Sequence, residues 1–407
     1  MRESRIPNPP PVPEPPAVEP AAVRIAWAEA PEILTGWAKF RVRLKFKRTL
    51  FRVLRRCYRN PLDWVRGVYY LVRRRRSILG KHRIRKMVKA NGLYYMDLYI
   101  PGWKDHAFER FVATELSRFK PHQQETNRIN KVFLSITKKC AMQCEHCSAW
   151  DTLNMKDTLG VDQYQKLLEE IYRIGVSQVY FTGGEPLLKP ELLESLISQM
   201  PGHVKSWVAT SGYQLTREKA KRLKKAGLTG VFVSLDHYEE ERHNAFRNHQ
   251  KAYSWALEAA QNALEAGLAV AFSVCLNDDL CRREELLNYM DFARRCGVHF
   301  VQFLEPLPVG RYKNRPVSLS EASIASVEAL YLELNYGSGY LEYPLIHYQG
   351  YYHRRVGCFA GGRQLIHIDA DGHLNSCPFC QADYGNLLEG GLSEKLDVMA
   401  ARGCGRF

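Results

Sequence analysis

From about residue 130 onward, short apolar runs alternate with longer stretches whose apolar positions recur every three or four residues. The runs fall at 132–136, 178–182, 204–210, 230–235, 269–275 and 298–304, and the helical stretches at 161–174, 190–199, 216–226, 250–266 and 284–296. Gly175, Gly227, Gly267 and Gly297 each stand just past a helical stretch, where a left-handed residue closes a helix. Each helix–Gly–strand repeat reads as a βα unit carrying a parallel strand. Six such units predict an α/β fold built on a partial (β/α)6, TIM-like barrel. The core is placed at 126–310, and its chemistry is expected beyond the C-terminal ends of the strands.

Upstream the pattern is different. Helices are expected at about 38–58 and 62–77, with Pro61 opening the second; a strand follows at 93–100 and a helix at 105–119. Residues 25–125 therefore read as a basic, mainly helical N-terminal extension. Residues 1–24 hold Pro7, Pro9, Pro10, Pro11, Pro13, Pro15, Pro16 and Pro20 and read as an extended tail. After the core, 311–350 reads as a helical linker and 351–407 as a small C-terminal domain containing a β-hairpin around Ala370, Asp371 and Gly372.

Charge sharpens the picture of the extension. Residues 39–89 hold twenty Lys and Arg against the single acid Asp63, a local net of +19 where the whole chain of 407 residues carries +15. Trp37, Phe40, Leu44, Phe46, Leu50, Phe51, Leu54, Trp64, Val65, Val68, Tyr69, Leu71 and Val72 are interleaved with these cations. Apolar surface with dense positive charge suits an interfacial helix on an anionic bilayer. The same charges attract nucleic-acid phosphates, and a third reading packs the aromatics on the main domain. The composition favours lipid over nucleic acid as a partner for 38–89. No run reaches the length of a spanning helix, and the N-terminus has no secretory pattern. Eleven Cys in a chain of this length read as reduced thiols in a cytoplasmic setting, with peripheral contact at the inner face of the membrane.

Several chemically distinctive residues land at strand ends. Cys140, Cys144 and Cys147 follow the first run within one short loop. Three thiolates can hold a metal centre while leaving one iron open; structural zinc with His146 as fourth ligand, or a ferredoxin-like carrier, are the alternatives. Gly183, Gly184, Glu185 and Pro186 follow the second run, Ser211 and Gly212 the third, Asp236 the fourth, and Glu305 and Pro306 the sixth. Glu305, Asp236, His237, Tyr384 and Arg363 are candidates for acid–base or other active-site work.

The spacing C-x3-C-x2-C, with His146 before the last Cys, and Tyr-Phe-Thr-Gly-Gly-Glu-Pro at 180–186 together resemble the radical S-adenosylmethionine (SAM) superfamily over about 130–310. The resemblance implies that Cys140, Cys144 and Cys147 ligate a [4Fe–4S] cluster. Its open iron would chelate S-adenosylmethionine, and one-electron cleavage would give a 5′-deoxyadenosyl radical that abstracts hydrogen. It also implies that Gly183, Gly184, Glu185 and Pro186 receive the methionine end of that cofactor. Thr210, Ser211 and Ser234 would supply polar contacts, Asp236 would serve the ribose region or the substrate, and Arg247, in the polar stretch with His243, Asn244 and Phe246, would pair with the cofactor carboxylate or, alternatively, form a surface salt bridge. A reductase such as a flavodoxin or ferredoxin would be a partner.

Cys358, Cys377, Cys380 and Cys404 form a second set. Thirteen residues separate Cys358 from Gly372 and four separate Gly372 from Cys377, which resembles the auxiliary-cluster region called SPASM or its shortened twitch form. The chain lacks the further Cys run of the longer form, so one auxiliary [4Fe–4S] cluster is expected, with four-thiolate zinc as the alternative. Cys404 is either a ligand or a catalytic thiol that donates a hydrogen atom. Cys57, Cys275, Cys281 and Cys296 read as ordinary cysteines. An auxiliary cluster suits oxidation or bond formation, and the expected substrate is lipid-linked or another small molecule. A ribosomally made peptide is the alternative. Against the peptide stand the arginine density of 25–120 and the absence of a clean three-strand pattern there, features unlike a leader-binding winged-helix module. A non-catalytic iron–sulfur or nucleic-acid-binding protein is the remaining class.

Overall fold

The structure is a computed structural model that describes residues 31–122 and 129–403. The Pro-rich tail and Cys404 lie outside the described residues. The N-terminal part runs β1 (Glu32–Leu34), α1 (Gly36–Cys57), α2 (Pro61–Leu79), β2 (Met87–Ala90), β3 (Leu93–Tyr95) and α3 (His106–Ser117). The core follows as β4 (Lys131–Ser135), α4 (Val161–Arg173), β5 (Gln178–Thr182), α5 (Pro190–Ser198), β6 (Lys205–Thr210), α6 (Arg217–Ala226), β7 (Gly230–Ser234), α7 (Glu240–Arg247), α8 (Ala252–Glu265), β8 (Ala269–Cys275), α9 (Arg283–Arg295) and β9 (Phe300–Leu304). The C-terminal part holds α10 (Glu321–Tyr336), β10 (Leu345–Tyr348), α11 (Gln349–Val356), β11 (Leu365–Ile368), β12 (His373–Cys377), β13 (Cys380–Asn386) and α12 (Leu392–Arg402).

The main sheet is ordered β10-β9-β8-β7-β6-β5-β4-β11-β12-β13. It is parallel from β10 to β11, and β12 and β13 extend it antiparallel. This is the partial, open barrel expected, with the six anticipated strands flanked by two more. Residues 311–350 supply one of them, β10, as well as helix α10. The expected strand at 93–100 shortens to Leu93–Tyr95, because the Asp97 carboxylate accepts from Tyr99 N (2.9 Å) and turns the chain.

Alternation along the strands divides the core into two. Residues such as Val132, Phe181, Val208, Val231, Phe272 and Val301 face the helices in one large cluster, while Tyr180, Trp207, Phe232, Ala271, Phe300 and Leu345 pack with Tyr95 and Tyr99 in a second. The second cluster fills the inside of the barrel, and its plug comes from the N-terminal extension. Lys86 fastens that extension by donating to the carbonyls of Tyr340 and Tyr343 (3.1 and 2.7 Å), and Arg110 by donating to Tyr172 and Val176 (2.6 and 3.0 Å).

The extension also contains a three-stranded antiparallel sheet, β1-β2-β3, which the sequence pattern did not reveal. Its strands have only three or four residues, and two long helices separate the first from the second. No helix of the described residues is long and apolar enough to cross a membrane.

Candidate active site

Cys140, Cys144 and Cys147 sit on the loop leaving β4, in a small apolar nest with Met142, Ala252 and Trp255. The loop is held from several sides. Asn154 Oδ1 accepts from Cys140 N (2.9 Å), and Arg311 N donates to Cys147 O (3.0 Å). Glu145 N donates to Phe246 O (3.1 Å), and His146 stacks on the Phe246 ring at 4.9 Å.

The Gly-Gly-Glu-Pro turn after β5 lies edge to edge with this loop. Gly184 N donates to Thr137 O (2.8 Å) and Glu185 N to Lys139 O (2.7 Å). Gly183 has φ +140°, and a Cβ on either glycine would overlap a carbonyl oxygen of the cysteine loop. The glycines are therefore needed for backbone to meet backbone. Glu185 is buried, and its carboxylate accepts from Thr210 Oγ1 (2.7 Å), Ser211 N (2.8 Å), Ser211 Oγ (2.5 Å) and Leu187 N (3.1 Å). Burial raises its pKa against these donors. Glu185, Thr210 and Ser211 thus tie the ends of β5 and β6 together.

Asp236 and Arg247 are brought together, both buried. Arg247 Nε and Nη2 each lie 2.5 Å from Asp236 Oδ2, and the other carboxylate oxygen accepts from Cys275 N (2.9 Å). Burial alone would raise the Asp236 carboxyl; the Arg247 cation outweighs it and holds it below its ordinary value. Arg247 Nη1 also reaches Cys144 Sγ at 3.5 Å, which sets a cation against the sulfur. Arg247 lies on α7, a helix the sequence pattern did not register, and neither of its polar partners is at the surface. Ser234 points into the barrel, whereas Glu305 is turned to Tyr348 Oη (2.5 Å) and Arg354 Nη1 (2.7 Å).

Burial raises all three thiols of the loop, Cys147 to about 12; Cys144 adds to this at Cys140 and Cys147, while Arg247 opposes it at Cys144. A bound cation reverses that balance and holds the sulfurs as thiolates. Among the described residues no three His, Cys, Asp or Glu side chains converge on a single-ion position. Cysteines that ligate different irons of one cluster need to surround it rather than meet at a point. Three thiols on one braced loop, Cys144 buried and Cys140 and Cys147 half-buried, fit such a group.

Of the second set, the described Cys358, Cys377 and Cys380 lie near one another. Cys358 packs with Cys377 against Phe133 and Leu365, and Cys377 faces Cys380 across the β12–β13 turn. Gln381 Nε2 donates to Ser148 O (2.6 Å), next to Cys147, and Lys138 Nζ reaches Asp371 (2.6 Å). The C-terminal hairpins are thereby pinned to the cysteine loop. Tyr384 and Arg363 lie in this part of the fold, Tyr384 within 3.5 Å of Ser376 and Arg363 offering its carbonyl to Arg118 (2.8 Å). His237 stays near α7, 3.3 Å from Arg242.

Residues 134–290 match the family model for the Radical SAM superfamily. Those residues form a radical SAM domain, and the match covers less than half of the chain. Among curated proteins it is similar to Fe-coproporphyrin III synthase of Methanosarcina barkeri, 29% identical over 42% of this chain and 44% of that one. It is also similar to PqqA peptide cyclase of Bradyrhizobium diazoefficiens, 32% identical over 36% of this chain and 39% of the other. The chain thus spans less than half the length of either relative. In fold it is similar to Streptococcus suis SuiB, solved bound to precursor peptide SuiA, with TM-score 0.55 and 15% identity over 74% of this chain and 72% of that one.

Strand register exposes a feature that the sequence did not. Ser234, Ser273, Gln302 and His347 are successive partners across β7, β8, β9 and β10. All are polar, and they lie one layer above the aromatic plug. Gln302 Nε2 donates to Tyr99 Oη (2.8 Å), and His347 Nδ1 meets Asp97 at 3.1 Å, where Tyr352 Oη also donates (3.0 Å). Asp97 belongs to the extension. Burial would raise its carboxyl, but the charge and hydrogen bond of His347 and the Tyr99 N–H prevail and hold it at about 2. Because the folded value lies below the unfolded one of about 3.9, the stability it contributes is present above about pH 4 and is lost as pH falls through about 2. Asp97→Asn is expected to cost about 2 kcal/mol at neutral pH and to flatten the acid limb, as read from thermal midpoints across that range.

Proposed function

We propose that this chain is a radical SAM enzyme that modifies a polypeptide. The observation that carries the chemistry is the cysteine loop lying edge to edge with the Gly-Gly-Glu-Pro turn at the barrel mouth. Cys140, Cys144 and Cys147 would hold a [4Fe–4S] cluster with an open iron for S-adenosylmethionine, bound at the turn through Gly183 to Pro186. When bound, these groups supply one-electron cleavage and a 5′-deoxyadenosyl radical that takes hydrogen from substrate.

The chain's own residues do the rest. Glu185, through Thr210 and Ser211, fixes the turn; Arg247, held by Asp236, keeps positive charge at the Cys144 sulfur. Ser234, Ser273, Gln302 and His347 orient the substrate from the barrel wall, and the aromatic layer beneath them keeps water out from below. Cys358, Cys377 and Cys380, with Cys404, would hold one auxiliary [4Fe–4S] cluster in a domain of SPASM or twitch type. A flavodoxin or ferredoxin would supply the electron.

The polypeptide assignment draws on the similarity to PqqA peptide cyclase and on the likeness in fold to peptide-bound SuiB. The three-stranded sheet β1-β2-β3 also removes the objection raised by the strand pattern of the extension. A lipid-linked or other small substrate is the second reading, favoured by the apolar and arginine-rich outer faces of α1 and α2. Anaerobic reconstituted chain, incubated with S-adenosylmethionine, reductant and in parallel a peptide or a lipid extract, is expected to release 5′-deoxyadenosine. Mass spectrometry is expected to find a changed mass in the peptide fraction. A changed lipid would replace the substrate assignment, and no 5′-deoxyadenosine under any condition would overturn the enzyme.

A further inference from the structure

Helix α1 buries one apolar face and exposes another. Val42, Val53 and Leu54 pack inward with Phe108, Val112 and Leu116 of α3. Trp37, Phe40, Leu44 and Phe51, spaced three, four and seven residues apart, are exposed, Trp37 by 74%. At 100° per residue these four fall within about 60° of arc, a stripe separate from the buried face. Helix α2 repeats the arrangement: Leu62, Val65, Tyr69 and Val72 are exposed, Val65 by 70%, and fall within about 80° of arc. Val65, Val68, Tyr69 and Val72 line a shallow groove with Arg73 and Arg76. The stripes are bordered by Arg41, Arg48, Arg66 and Arg73, all exposed. Phe51 meets Trp64 edge to face at 5.5 Å, so the two helices touch near the turn that connects them.

A folded chain rarely leaves apolar stripes on two successive helices open to water. Nucleic acid would use the arginines but would not cover the stripes, and another polypeptide would have to answer a local net charge of +19 across 39–89. An anionic bilayer does both: its headgroups pair with the arginines, and its acyl boundary takes the Trp, Phe, Leu and Val side chains. The helices cannot span it, so they would lie in its plane.

We propose that the outer faces of α1 and α2 form a docking surface for an anionic lipid membrane, holding this chain at the interface. This goes beyond the catalytic reading and does not rest on it. The test is flotation of the full chain with phosphatidylcholine vesicles, with or without phosphatidylglycerol. The wild type is expected to float with the anionic vesicles, to stay down with the neutral ones, and to be released by salt. Trp37→Glu/Phe40→Glu and Val65→Glu/Tyr69→Glu, all exposed positions, are expected to bind at least about tenfold more weakly, with unchanged circular dichroism and iron content. Equal flotation of wild type and both variants overturns the proposal. So does a failure of the wild type to float, or a concentration-dependent dimer that the variants abolish, which would assign the faces to a second copy. Release of 5′-deoxyadenosine in solution is independent of each of these outcomes.

Discussion

Arg247→Leu is expected to destabilise the chain by about 3–5 kcal/mol, the largest loss foreseen for a single substitution away from the cysteines. The guanidinium donates to Asp236 at 2.5 Å and to Cys144 at 3.5 Å, and the side chains of the ion pair are only 8% and 3% exposed. Removing it leaves a carboxylate buried with its charge uncompensated, while a Leu returns no hydrogen bond. Removing both charges is a different experiment. Arg247→Leu/Asp236→Leu is expected to recover part of the loss, because the unpaired ion is gone. Urea unfolding of anaerobic protein checks both, and a double variant no better than the single would show that Asp236 serves mainly through its bond to Cys275 N.

What the sequence discloses here is set by how local each interaction is. The βα units are legible because each carries its own punctuation. Gly175, Gly227, Gly267 and Gly297 all take positive φ, from 72° to 115°, at the places where a helix gives way to a strand. The two motifs are legible because their residues are close in sequence and land at strand ends. β10 is not, being four residues of mixed character, and β11 is legible only as half of the expected hairpin. Nothing local says that Leu365–Ile368 pairs parallel with β4 across more than two hundred residues.

The polar row is hidden for the same reason. Ser234, Ser273, Gln302 and His347 are single polar residues in four apolar strands, and only register sets them side by side. Asp97 is harder still, being a turn residue of the extension that completes a wall of the barrel. The glycines teach a different lesson. The resemblance implies that Gly183 and Gly184 receive the cofactor, and the structure also presses them against Thr137 and Lys139. They therefore also make room for the loop that bears the cysteines, which holds the two motifs against each other.

The two cysteine sets should separate cleanly under substitution. Cys140→Ala, Cys144→Ala and Cys147→Ala are each expected to bring S-adenosylmethionine cleavage to background, because each removes a thiolate from a loop that offers three. The triple replacement Cys358→Ala/Cys377→Ala/Cys380→Ala touches only the C-terminal turn and its packing on Phe133. It is expected to lower iron from about eight to about four per chain and to leave 5′-deoxyadenosine release measurable, while substrate conversion is lost. The hydrogen bond from Gln381 to Ser148 tempers this separation. Loss of the C-terminal group relaxes the strap on the first loop, so cleavage should slow rather than persist unchanged. Iron assay and chromatography of 5′-deoxyadenosine on the same anaerobic samples measure both. If the C-terminal variant keeps its full iron, those cysteines hold no cluster. If a variant of the first loop still cleaves the sulfonium at the wild-type rate, the cluster is not where the three thiols are.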